Sequence, residues 1–316
     1  MFYCYSQHGK LLIKIKFFES GDNMSKVKIL TDSGSDLPLT FLNEYNVTLL
    51  PLQVHLDDKE YEDVIAINPK VIYDAMRSGK APKTSQVSPN TIKDKFTELA
   101  IQKQPSVYIA FSSELSGTYQ TAVMIREQVL EDYPELDLTI IDSKCASLGH
   151  GLVVLHAAKL AENGASKETI INEVNHYCQH MEHLFTVDDL EYLRRGGRVS
   201  RASAFVGGLL NVKPLLNVED GKLIPLEKHR GRKKLFNRII ELMEERGVNL
   251  EDQLIGISHG DDEETALQIK QSIEEKFGSK HFLINMVGST IGAHSGPGTI
   301  AIFFLNEKAN TQYDIS

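Results

Sequence analysis

Cysteine is scarce in this chain. Cys4, Cys145 and Cys178 are its only three, too few and too scattered for a disulfide framework or a zinc knuckle. A reducing cytoplasm is the natural setting for such a sequence. Long apolar runs are missing as well: no stretch reaches the ~18 to 20 uninterrupted apolar residues of a membrane helix. Positive charge is in deficit. The formal net charge of -9 argues against a general nucleic-acid role, which rests on neutralising phosphates with a basic face. There is no P-loop and no Gly-x-Gly-x-x-Gly, which disfavours a nucleotide-binding regulator. No Gly-x-Ser-x-Gly nucleophile elbow is present either, and there is no internal repeat or long low-complexity linker.

What remains is an ordinary globular composition, 41% hydrophobic and 24% charged over 316 residues, long enough for two domains with proper cores. The first residues stand apart. Leu11–Phe18 is apolar but broken by Lys14 and Lys16, a poor signal-peptide core. Met24 is therefore read as the true start, and residues 1–23 as a non-native leader or disordered extension. A short amphipathic membrane-surface segment is the alternative.

From Val27 onward, strand and helix alternate. Val27–Leu30, Val47–His55, Val107–Phe111 and Leu138–Ile141 read as strands. Helices are expected over Pro69–Gly79, Pro89–Gln102, the stretch after Thr118 to about Tyr133, Ser147–Glu162 and Lys167–His180. This rhythm predicts a mostly parallel sheet flanked by helices. After about His183 a second α/β unit is expected. Its strands are Leu184–Val187, Lys213–Val218, Leu223–Glu227, Leu254–Ser258, Phe282–Val287 and Thr299–Phe304, and its helices are Lys233–Arg246 and Glu263–Phe277. The fold class is thus α/β with two α/β domains, 24–182 and 183–316, and a ligand buried between or within them.

Three polar, glycine-marked loops carry the chemistry: Lys83–Gln86, Ser112–Gln120 and Gly288–Gly298. Each falls where a strand ends or a helix begins, and there backbone N–H groups are free to meet an anion. They supply hydroxyls, amides and one imidazole, with Lys83 the only cation inside the cluster. That inventory suits a single carboxylate better than a polyphosphate. Ser85, Ser113 and Ser289 are supporting candidates. Asp32, at the end of the first strand, either orients the site or closes a turn, and Asp36 reads as the N-cap of the helix that follows it. His176, His180 and His183 fall at helical spacing, but no carboxylate or cysteine joins them, so no metal site is expected.

In order along the chain stand Asp32-Ser33-Gly34-Ser35-Asp36, Thr84-Ser85-Gln86, Leu115-Ser116-Gly117-Thr118-Tyr119-Gln120, Leu190–Arg198, Val212-Lys213-Pro214 and His294-Ser295-Gly296-Pro297-Gly298. The set resembles the DegV family of bacterial fatty-acid-binding proteins, from Met24 to about Leu305. The resemblance implies a non-catalytic carrier that encloses one long-chain fatty acid and needs no cofactor. It also implies a partner, the catalytic subunit of a fatty acid kinase, to which the carboxylate is presented for acyl-phosphate formation in phospholipid metabolism. Transient exchange with a membrane is compatible with that role. The family's carboxylate ligands fall on Thr84, Ser116, the amide of Gly117, and His294; Val87 stands where many members have proline. For the acyl tunnel, Phe205, Gly207, Gly208 and Leu209 are the best candidates, since paired glycines inside an apolar helical run are costly unless something approaches closely. Val47–Leu56, Val153–Leu160 and Phe282–Val287 are further possible walls. Arg230 and Arg232, crowding a helix N-terminus where the dipole disfavours cations, are candidates for docking an acidic partner surface. The rival reading is a serine hydrolase acting on acyl esters through Ser116 and His294.

Overall fold

The computed structural model describes residues 26–198 and 212–308. Strand β1 (Lys28–Asp32) runs into a 3-10 turn at Ser33–Ser35, and α1 (Leu39–Glu44) follows. The single strand expected over Val47–His55 is broken into β2 (Thr48–Leu50) and β3 (Gln53–Leu56), which join different sheets. Pro51 between them has no N–H for a ladder, and the Leu52 N–H is taken by Ser33 Oγ at 3.1 Å. Asp57 and Asp58, at φ 51° and 60°, form the mirror-image hairpin turn that matches strand twist and lead into β4 (Lys59–Glu62). Next come α2 (Pro69–Arg77), capped by the Asn68 side chain, and β5 (Lys83–Ser85). The Thr84 segment is therefore a strand on the edge of a small sheet, not a loop. The alternation then continues as expected through α3 (Pro89–Gln102), β6 (Ser106–Ala110), α4 (Thr118–Asp132), β7 (Leu138–Asp142), α5 (Ser147–Glu162) and α6 (Lys167–His180).

Strand β8 (Met181–Thr186) starts directly at the end of α6. His183 is thus on a strand and shares no helical face with His176 and His180. After α7 (Leu190–Arg195), β9 (Val212–Glu219) and β10 (Lys222–Arg230) form a hairpin whose turn residues Asp220 and Gly221 sit at φ 49° and 80°. The chain finishes with α8 (Arg232–Arg246), β11 (Leu254–His259), α9 (Glu263–Phe277), β12 (His281–Met286), α10 (Ser289–Ser295) and β13 (Ile300–Leu305). Helices α7 and α10, with six and seven residues, are too short for a periodic pattern to announce them.

The strands of the described residues form three sheets. The first is wholly parallel, in the order β2-β1-β6-β7. The second is mixed, in the order β10-β9-β8-β13-β11-β12, with only the β11–β12 pair parallel. The third is antiparallel, β4-β3-β5. Helix α5 is apolar almost all round, the signature of a helix with no solvent face, and it fills the space between the two larger sheets. Its Leu148, Leu152 and Val153 share one core with Ile29, Val107 and Ile109 of the parallel sheet and with Phe185, Leu216 and Phe303 of the mixed sheet. Gly151 permits this: a Cβ there would stand 2.5 Å from the Ser35 carbonyl oxygen.

Candidate functional site

The structure brings the Thr84, Ser116 and His294 segments to one cavity of about 370 Å³. Thr84 projects from edge strand β5, which is paired to β3 through Val54. Its hydroxyl lies 2.7 Å from Nε2 of His294, which sits in the last turn of α10. Ser116 lies in the turn before α4: its N–H donates to the Ser112 carbonyl at 3.1 Å, and its Oγ pairs with Thr118 Oγ1 at 2.9 Å. Gly117 is the N-cap of α4, the position around which a helix leaves N–H groups without intrahelical partners.

Helix α10 has a glycine at its N-cap and no side-chain cap of its own. Its first N–H groups are met instead by buried carboxylates from distant segments. Gly288 donates to Asp36 Oδ1 at 2.9 Å, Ser289 to Asp63 Oδ1 at 3.0 Å and Thr290 to Asp63 Oδ2 at 3.3 Å. Asp36, expected to cap the helix directly after it, thus caps one far along the chain; it sits in the left-handed region at φ 52°, a conformation that turns it away from α1. At the other end of α10, the His294 ring lies against Gly196, where a Cβ would stand 2.0 Å from Nδ1. Nδ1 itself is buried and has no hydrogen-bond partner among the described residues. Burial, aided by the nearby Arg198 charge, pushes the His294 pKa down to about 4. The imidazole is therefore neutral at ordinary pH, with one nitrogen a donor and the other an acceptor.

Arg198 is the residue that sequence reasoning missed. The three polar loops hold no arginine, yet Arg198 lines the cavity beside His294. It is half-buried, and its Nε donates to the Leu115 carbonyl at 3.1 Å while Nη1 holds the Gly196 carbonyl. Desolvation lowers its pKa. The one available signal was the Gly196-Gly197 pair ahead of it, which marks a backbone approached closely. Gln86 also lines the cavity next to Gly117.

The rest of the lining is mainly apolar, drawn from the mixed sheet (Phe185, Val218, Leu223, Ala301, Phe303) and from Leu193 of α7. His183 reaches it too, fully committed: its Nδ1 is 3.0 Å from the Met181 carbonyl and its Nε2 accepts from the Ala146 N–H at 3.3 Å. Ser147 and Thr299 touch the cavity, but Ser147 bonds Asp36 and Ser258, and Thr299 bonds the carbonyls of Ser295 and Gly296.

Of the other sequence candidates, Ser85 lines the cavity and pairs with His55 at 3.0 Å. Ser113 does not reach it; its Oγ accepts from Lys144 Nζ at 2.8 Å. Ser289 stays at the far end of α10. Asp32 is a buried brace, accepting from the Phe111 N–H at 2.8 Å, Tyr108 Oη at 2.9 Å and the Gly34 N–H at 3.1 Å, and burial raises its pKa. It thereby fixes the exit of β6, from which the Ser112–Ser116 turn departs. Phe205, Gly207, Gly208, Leu209 and residues 1–23 lie outside the described residues. Val153–Leu160 is core within α5 and reaches no cavity wall, while Val47–Leu56 contributes only Leu52 and Phe282–Val287 only Val287. Arg232 spends its guanidinium inside the chain, on Asp262 at 2.6 Å, Asp188 at 3.0 Å and the Gly298 carbonyl at 2.9 Å. Those carboxylates offset the cation that the start of α8 would otherwise disfavour. Arg230, at the end of β10, is exposed. Among the described residues, no cluster could hold a metal ion, and no helix is long and apolar enough to cross a membrane.

Comparison with known proteins agrees with this architecture. The family model "Uncharacterised protein, DegV family COG1307" matches residues 26–307. The chain is 40% identical to a DegV domain-containing protein of Clostridium perfringens, over 90% of this chain and 99% of that one. A structure described as fatty acid binding of a DegV family protein from Thermus thermophilus superposes with a TM-score of 0.80 at 32% identity, covering 88% of this chain and 98% of that one. DegV of Bacillus subtilis, described as a fatty acid binding protein, superposes with a TM-score of 0.78 at 31% identity, covering 89% and 99%. Matched along nearly its whole described length in both sequence and fold, the chain belongs to the DegV family.

Proposed function

We propose that this protein binds one long-chain fatty acid and presents its carboxylate to a partner. The observation that carries this reading is the division of one cavity into a polar part, where Thr84, Ser116, Gly117, His294 and Arg198 converge, and a remainder walled mainly by aromatic and aliphatic side chains. A fatty acid poses those two demands together. Burying ~15 methylenes contributes on the order of 12 kcal/mol before ordering costs. The carboxylate loses water and needs a donor for nearly every lone pair. Two hydroxyls and the Gly117 amide supply about three donors, with the His294 Nε2–H placed to hold the Thr84 oxygen and leave its hydroxyl hydrogen for the ligand, and the Arg198 guanidinium adds a charge-assisted one. The cavity volume falls in the range usual for small-molecule sites, and the fatty acids named for the Thermus and Bacillus relatives support the same ligand class.

The carrier reading extends, through the family resemblance, to a fatty acid kinase as cytoplasmic partner and to acyl-phosphate as its product. The hydrolase reading finds less support. Among the described residues no hydrogen bond joins Ser116 to His294: Ser116 pairs with Thr118 and His294 with Thr84, so the nucleophile–base pair that a hydrolase needs is not formed. Lipid extraction and mass analysis of protein purified from a bacterial host is the test: one acyl chain per protein is expected. A protein that turns over activated acyl esters, and stops on Ser116→Ala, would replace the carrier with the hydrolase.

A further inference from the structure

We propose that Asp63, a residue remote from the cavity, is the positioning group for His294: it anchors the first turn of α10 and thereby sets the imidazole at the other end. The inference rests on the acyl-binding reading and adds a residue to it. A seven-residue helix cannot sustain itself, because nucleation is costly and most of its peptide groups lie in unpaired end turns. Gly288 at its N-cap offers no side chain. Both oxygens of Asp63 supply the missing acceptors, to Ser289 and Thr290, with Asp36 taking Gly288. A fully buried carboxylate is an expensive way to close a helix, and a serine or asparagine at position 288 would be the ordinary local solution.

The backbone beside Asp63 gives an independent indication. Val64 sits at φ 68°, a left-handed conformation in which a β-branched residue is strained. Asp63 itself is tied by its N–H to the Leu52 carbonyl at 2.9 Å and bridged to Ile67, while Ile65 is left 54% exposed. The chain accepts both strain and an exposed isoleucine in a turn that aims this carboxylate inward at α10. At the helix's other end there is little slack, with Thr84 on one side of the ring and Gly196 on the other. Small movements of α10 are therefore felt at the Thr84–His294 contact.

The test is a double-mutant cycle on delipidated protein, with oleate titrated calorimetrically. Asp63→Asn keeps the volume and one acceptor, and is expected to weaken oleate binding about tenfold, in keeping with loss of one charged hydrogen bond. In a His294→Ala background the same change is expected to alter affinity less than twofold, while any loss of thermal stability persists in both backgrounds. Equal affinities of wild type and Asp63→Asn would overturn the proposal. So would an equal loss with and without His294, which would leave Asp63 a purely structural residue. If Asp63→Asn does not fold, Asp63→Ser, which keeps a small polar side chain but cannot reach both the Ser289 and Thr290 N–H groups, takes its place; the same two outcomes decide. Failure of the wild type to bind any long-chain fatty acid would instead overturn the acyl-binding reading itself.

Discussion

Replacing Gly196 by alanine isolates the contact on which the polar part of the site depends. The backbone at Gly196, φ -71° and ψ -11°, is right-handed helical, so alanine brings no backbone strain. The added methyl would stand 2.0 Å from Nδ1, 2.9 Å from Cε1 and 3.0 Å from Cγ of His294, and the ring cannot retreat without leaving Thr84 at 2.7 Å. Overpacking of this kind costs about 1 to 3 kcal/mol. If that falls on the ligand-binding geometry, it converts to a roughly 5- to 150-fold weaker fatty-acid affinity, at about 1.4 kcal/mol per tenfold. Calorimetric titration of delipidated protein with oleate reads the affinity, and ¹⁵N shifts of the imidazole report whether the ring has moved. Combining the change with His294→Ala completes the argument: the three atoms nearest the new methyl all belong to the ring, so without it the two penalties should be non-additive by at least about 1 kcal/mol. Unchanged affinity together with an unmoved ring resonance would refute the reasoning.

Thr84→Val keeps the shape and removes the hydroxyl. Loss of a hydrogen bond to a charged group, about 1.5 to 3 kcal/mol, is expected to weaken oleate retention by roughly one to two orders of magnitude, read by the same titration. Acid should destabilise the fold through two histidines. Burial holds His183 and His294 near 4, below the ordinary 6.5, so as pH falls from 6.5 toward 4 the unfolded chain takes up protons that the native state refuses. About 3 kcal/mol per histidine is lost across that window, and a thermal melt series at pH 4.5 to 7 in which wild type and His183→Asn show parallel slopes would contradict it. Asp36 acts in the opposite direction: burial pushes its pKa up to about 8, so its contribution falls as pH rises from about 4 to 8. Asp36→Asn is expected to gain melting temperature relative to wild type as pH is raised toward 8; a difference that stays constant with pH would refute this.

The sequence was most informative where physics is local. The βαβ alternation, the Pro89 helix start and the buried α5 all follow from hydrophobic period, capping and composition within one segment. Where the sequence reading departed from the structure, a distant partner had intervened. Pro51 splits one apolar run because two separate sheets claim its halves. Asp36 looks like a cap for its own helix and serves α10 instead. Arg198 closes the Leu190–Arg198 stretch with no local sign of a cavity, yet folds onto one through the Leu115 and Gly196 carbonyls.

By itself, then, the sequence determined the α/β class, most of the elements and the residue types able to grip a carboxylate, since each of these depends on neighbours a few positions away. Only the tertiary structure decided which of those residues share a cavity and which are braces. That choice is made by contacts such as Thr84 with His294, 210 positions apart, and no periodicity or spacing encodes a contact between segments that meet only after the chain has folded.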